Sequence, residues 1–176
     1  DEKIMAACQK QLMKSVNGNR IISVSLQPMQ FGDNIHLPLE RGYLTMFKQI
    51  LEGLEALDTD IVFFCEHDVL YHSSHFKFVP PDRSKIYYNL NNWQARAADG
   101  HAVYYDAKRT SQLCAWRDVL VEHYCRRVER TEAKLAELGD GVEFRRFIRR
   151  QGFEPASHHR TECVYDLKSD VWVSEH

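Results

Sequence analysis

Ile4, Cys8 and Leu12 recur every four residues, with Met5 and Val16 beside the same face. This spacing predicts a helix from a cap at Asp1 to about Ser15, ended by Asn17-Gly18-Asn19. Ile22, Val24 and Leu26 alternate with Ser23 and Ser25, the pattern of a strand with one wetter face. Gln27 to Leu39 carries Pro28, Gly32-Asp33-Asn34 and Pro38 and reads as a loop. Leu44, Phe47, Leu51, Leu54 and Leu57 keep three-four spacing and predict an amphipathic helix from about Arg41 to Leu57. The run Asp60-Ile61-Val62-Phe63-Phe64-Cys65 is apolar on both faces, which after a helix suggests a buried strand of a parallel sheet.

Further along, Lys85–Trp93 is a third strand candidate, and Asp99-Gly100 between Trp93–Arg96 and His101–Tyr105 is a hairpin signal. Thr110 or Ser111 can cap a long helix bearing Leu113, Trp116, Leu120 and Tyr124, stopped by Gly139 after Leu138. Glu143–Gln151 predicts a short basic helix with Phe144, Phe147 and Ile148 inward and Gly152 as its stop. The tail from Glu162 to Ser174 alternates weakly through Val164, Leu167, Val171 and Val173, enough for one or two strands. The order is α-β-α-β, then a hairpin, then helices, which predicts an α/β domain with a mixed sheet.

The 176 residues match one domain at roughly 150 residues each. Lys and Arg number 23 against 25 Asp and Glu, and this balance of −2 lacks the basic excess of a general nucleic-acid coat. Hydrophobic residues make up 44%, which argues against disorder. The longest uninterrupted apolar stretch, Ile61–Cys65, falls far short of the roughly 18 residues a membrane span needs. Cys8, Cys65, Cys114, Cys125 and Cys163 are odd in number and form no CxxC pair. They read as free thiols in a reducing cytoplasm.

The most informative segment is Glu66-His67-Asp68, where the apolar run gives way to acid. Ligands of open α/β sheets bind beyond the carboxyl ends of parallel strands. Carboxylates at i and i+2 of an extended segment point the same way and suit a hard divalent cation that bridges to phosphates. A solvated loop is the plain alternative. His72 and His75 follow at i,i+3, and Glu66, Asp68, His72 and His75 form a rival zinc set, although HExxH is absent. The same two histidines also read as caps of a turn before Phe76.

Helix, buried strand and acid-x-acid together resemble the DXD element of GT-A-type glycosyltransferases, with Glu66-His67-Asp68 as that element. Arg41-Gly42 is similar to the basic/Gly segment that faces the nucleotide in family-2 members. Gly152-Phe153 aligns with a terminal Gly-Tyr, placing Asp140-Gly141-Val142-Glu143-Phe144 on the acidic start of a third family stretch. The second acid there, the family's usual base, is Gly141 in this chain; Asp140 is the nearest substitute and Glu143 the next.

The resemblance spans about 20–152 and implies a GT-A-like, Rossmann-type mixed sheet flanked by helices. It implies metal-dependent hexosyl transfer from a UDP- or GDP-sugar, with Mn²⁺ or Mg²⁺ on Asp68 and Glu66. Arg41, Glu66, His67 and Trp93 then serve the nucleotide-sugar, and Asp140 or Glu143 the proton transfer. A histidine from a C-terminal segment often completes the family's metal site, and here His176 or the pair His158-His159 is the candidate. Family members open with a strand. This chain opens with the helix that follows it, so 1–176 reads as one glycosyltransferase-like domain trimmed at one or both ends.

Trp93, after Tyr87-Tyr88-Asn89-Leu90-Asn91-Asn92, suits sugar stacking as well as it suits an ordinary strand. Arg126, Arg127, Arg130, Arg145, Arg146, Arg149 and Arg150 form a basic group, read first as a solvated helix face. A phosphate-bearing acceptor, nucleic acid included, is the less favoured reading. The rival functions are a nucleotidyltransferase, whose usual Gly-rich loop is not visible, and a binding module without catalysis, which Gly141 favours.

Overall fold

The computed structural model describes residues 2–104, 107–150 and 172–174, which build an α/β chain. Two compact units emerge: Asp1–Gly18, Phe63–Trp116 and Pro155–His176 form unit 1, and Asn19–Val62 with Arg117–Glu154 form unit 2.

Unit 2 follows its apolar periodicity. Strand β1 (Ile22–Ser25) lies parallel to β2 (Asp33–His36), with Ile22 opposite Asp33 and Ser25 opposite His36. The stretch Gln27–Leu39, expected as a loop, therefore contains a strand. Its signal is polar: the Asn34 amide donates to Ser23 Oγ and Ser25 Oγ, both at 2.9 Å, so the wetter face of β1 is what β2 recognises. Gly32 makes the turn into β2 at φ +59, where a Cβ would stand 2.5 Å from the Ile21 carbonyl oxygen, so a side chain there requires the backbone to move.

Helix α2 (Tyr43–Glu55) starts at Gly42 and buries Phe47 and Leu54. Its last carbonyls are capped from outside the helix: Arg117 Nε donates to Leu54 O at 2.7 Å and Arg117 Nη2 to Glu55 O at 3.2 Å. Helix α3 (Arg117–Leu138) buries Leu120 and Tyr124 and ends at Gly139, φ +63. Helix α4 (Val142–Arg150) buries Phe144 and Ile148, with Phe147 half-buried.

In unit 1, helix α1 (Glu2–Ser15) buries Cys8, Leu12 and Ser15. Strand β3 (Ile61–Phe63) crosses into this unit and heads a sheet with β4 (Tyr87–Asn89), β7 (Leu113–Trp116) and β8 (Trp172–Ser174), in the order β3-β7-β4-β8. β4 is antiparallel to both β7 and β8. The bonds Phe64 N–H to Leu113 O (2.9 Å) and Arg117 N–H to Asp60 O (2.7 Å) fall as one chain rises, so β3 and β7 are antiparallel as well. The parallel strand implied by the run at 61–65 is thus corrected. Among the described residues only β1 and β2 pair in parallel, and an apolar run reports burial rather than strand direction.

Two further expectations change. The helix expected from Thr110 begins only at Arg117; a 3-10 turn (Thr110–Gln112) and β7 precede it. Leu113, Cys114 and Ala115 are all buried, as in an inner strand, and a short apolar run does not distinguish strand from helix. Lys85–Trp93 divides into β4 and β5 (Trp93–Ala95), with Asn91 and Asn92 between them. β5 pairs with β6 (Ala102–Tyr104) as the Asp99-Gly100 signal predicts, with Gly100 at φ +74. Asp1, Tyr105, Gly152 and the tail alternation at 162–171 lie outside the described residues.

Candidate functional site

The segment beyond β3 leaves the ladder after Phe64. Val69 N–H turns back to Glu66 O at 3.4 Å, so Glu66-His67-Asp68 forms a turn and not the extended segment on which an i,i+2 alignment rests. The two carboxyls are neighbours nonetheless. The Glu66 carboxyl is pushed above its ordinary range, first by burial and then by the negative charge of Asp68, while Arg109 and His67 act the other way. Glu66 is exposed as a residue, yet enough protein surrounds its carboxyl to set the direction of that shift. Asp68 also raises the Cys8 thiol of α1, second to burial. Arg109 was not singled out by the sequence, because its nearness to Glu66 comes from the loop before β7.

Tyr71 lies beneath the turn, 3% exposed. Its hydroxyl accepts the Glu66 N–H at 3.0 Å and donates to Ser111 O at 2.8 Å. Burial pushes that hydroxyl far above the usual tyrosine range, so it stays protonated and able to donate. The Cys65 thiol is pushed up to about 12, mainly by burial, although the residue as a whole is exposed.

His72 and His75 do not share a face. His72 is exposed and its Nδ1 meets Ser74 Oγ at 2.9 Å, the capping role. His75 is 2% exposed, meets Asn89 Nδ2 at 3.1 Å, and packs its ring against Phe63, Tyr71 and Phe76. Among the described residues no three His, Cys, Asp or Glu side chains form a metal-holding group, so the rival zinc set does not assemble there. Glu66 and Asp68 alone remain. Two carboxylates on one turn, one held back from ionising by the other, are a donor set that hard divalent cations take while keeping several waters.

Trp93 donates Nε1–H to Asn91 Oδ1 at 2.7 Å and sets its ring edge-on to Tyr104, centroids 5.5 Å apart. Asn89 Oδ1 in turn accepts the Asn91 N–H at 2.9 Å, so two of the amides beside Trp93 serve the chain itself. Glu66, His67, Asp68 and Trp93 belong to unit 1, whereas Arg41, Asp140 and Glu143 belong to unit 2. Arg41 and Asp140 are exposed, and Glu143 is ion-paired with Arg146 at 2.5 Å. Of the basic group, Arg126 pairs with Glu122, Arg130 lies over Phe147, and Arg145, Arg149 and Arg150 face solvent, as on a solvated helix face. His158, His159 and His176 lie outside the described residues.

Cys8, Cys65, Cys114 and Cys125 are free, and among the described residues no helix is long and apolar enough to cross a membrane. Compared with protein-family models, with curated proteins and with solved structures, the chain matches none.

The shift at Glu66 has a thermodynamic consequence. Its carboxyl ionises at higher pH in the folded chain than in the unfolded one, so between the ordinary value of 4.5 and the raised value the folded state holds more protons. Stability then falls as pH rises through that window. In metal-free buffer Glu66→Gln is expected to melt higher than wild type at neutral pH, with the advantage gone below 4.5. An advantage independent of pH would contradict this origin.

Proposed function

We propose that this chain is a metal-dependent glycosyltransferase that moves a sugar from a UDP- or GDP-sugar to an acceptor. The observation that carries the reading is the pairing of Glu66 and Asp68 on the turn that follows β3, where their charges oppose each other. Asp68 and Glu66 would hold Mn²⁺ or Mg²⁺ through oxygen, with His176 as the proposed further ligand. A bound cation would supply charge stabilisation to the leaving diphosphate.

The chain's own residues do the rest. The Tyr71 hydroxyl and the Glu66 backbone hold the carboxylates in place. His67 and Trp93 are assigned to the nucleotide-sugar, the indole already fixed by Asn91. Arg41, Asp140 and Glu143 enter on the resemblance alone. Of the two acids Asp140 is the better base, because Glu143 is engaged by Arg146 and a base must be open to the acceptor proton. A GT-A-type sheet and a cytoplasmic setting belong to the same proposal, the first resting on the order of the motifs and the second on the scattered cysteines.

Gly141 at the expected base position favours a second reading, in which the site binds a nucleotide-sugar without transferring it. Calorimetric titration with UDP- and GDP-sugars, with and without Mn²⁺, tests what the two readings share. Metal-dependent binding supports both; binding indifferent to metal removes both. Release of free UDP or GDP from a bound donor then selects the enzyme.

A further inference from the structure

The antiparallel register of β3 and β7 runs through Asp60–Arg117 and Phe64–Leu113, each closed by a backbone bond. Hydrogen-bonded pairs recur every two residues in such a ladder, so the next pair is Glu66 with Ser111. That direct bond is not made. A single oxygen, the Tyr71 hydroxyl, stands between the two groups, 3.0 Å from the Glu66 nitrogen and 2.8 Å from the Ser111 oxygen.

The inserted hydroxyl relays the ladder while holding the two chains apart, and at this point the acidic turn begins. Tyr71 is fixed at its other end as well. Ser15 Oγ of α1 donates to the Tyr71 carbonyl at 2.6 Å, joined by Gln11 Nε2 at 3.5 Å. Its ring lies between His75 and Phe76, with centroids 5.1 and 5.8 Å away. The hydroxyl therefore has one place to be, and Glu66 takes its position from it.

We propose that Tyr71 is a positioning residue for a divalent cation: its hydroxyl keeps the β3–β7 ladder from closing at Glu66 and so sets the carboxylates of Glu66 and Asp68 at the separation the cation requires. Without the hydroxyl, the Glu66 N–H is free to close directly on Ser111 O, and the turn is drawn into the ladder. The inference rests on the reading of Glu66 and Asp68 as a cation site and adds what holds that site open.

Electron paramagnetic resonance of Mn²⁺ alone, titrated into wild type, Tyr71→Phe and Asp68→Asn, separates the two ideas. Tyr71→Phe keeps the buried ring, so its melting temperature is expected to stay within a few degrees of wild type. Its Mn²⁺ affinity is expected to fall about tenfold or more, the range seen when groups that orient metal ligands are lost. The line shape of the remaining bound Mn²⁺ should change too, which a purely structural role would not produce. Wild-type affinity and line shape in Tyr71→Phe, with Asp68→Asn impaired, overturns the inference and leaves the cation site standing. Wild-type affinity in Asp68→Asn overturns the cation site and this inference together. Should Tyr71→Phe not fold, Ser15→Ala frees the other end of the same residue: weakened Mn²⁺ binding there supports the inference, and unchanged binding overturns it.

Discussion

Asp68→Asn is expected to lower Mn²⁺-dependent release of UDP or GDP from a sugar donor by about a hundredfold or more, the scale on which charge-stabilising groups at reacting centres act. The substitution keeps the shape of the side chain and removes the charge that both raises Glu66 and attracts the cation. Asp68 is exposed, so its folding role is small and the variant should melt close to wild type. The loss then reads as chemistry and not as unfolding. Glu66 should move back toward the ordinary carboxyl range in the same variant, because the second of its two raising causes is gone. Turnover at the wild-type level would remove Asp68 from the site.

Phe47→Ala is expected to destabilise unit 2 by about 3–5 kcal/mol, the cost of replacing a fully buried phenylalanine. Phe47 is 0% exposed on α2 and meets Tyr124 of α3 with ring centroids 6.5 Å apart. The Arg127 guanidinium covers both rings, 5.9 Å from one and 5.8 Å from the other, so the cavity left behind is roofed by a charged group that cannot usefully fill it. Urea unfolding followed by circular dichroism measures the loss. A change below about 1 kcal/mol would mean that α2 and α3 do not pack through this ring.

The elements that the sequence makes legible are those long enough to carry a period. Helices α1 and α2 announce themselves through apolar residues every three or four positions, and the β5–β6 hairpin through Asp99-Gly100. The elements it hides are three or four residues long. β7 disappears into an apparent helix because Leu113, Trp116, Leu120 and Tyr124 keep helical spacing across a real boundary at Arg117. β2 has one apolar residue, Ile35, and is recognised through the Asn34 amide, a signal that needs its partner β1 to be visible.

The candidate site divides in the same way. The acids of Glu66-His67-Asp68 stand out after an apolar run, and their proximity survives the change from strand to turn. Arg109 and Tyr71 do not stand out, since each reaches Glu66 through the fold. The bond from Tyr71 to Ser111 spans 40 residues of chain, and only the β3–β7 register shows which ladder bond it replaces. His75 illustrates the converse error. It lies near the acids in sequence, but its ring belongs to the aromatic core of unit 1.

The central claim is that Asp68 and Glu66 hold a divalent cation engaged with a nucleotide-sugar. A crystal soaked with Mn²⁺ and a UDP- or GDP-sugar, measured for manganese anomalous scattering, tests it most directly. The account predicts an anomalous peak within coordination distance of an Asp68 oxygen, about 2.0–2.2 Å, with the diphosphate on its far side. A nucleotide bound elsewhere, or manganese on other ligands with Asp68 facing solvent, would contradict it.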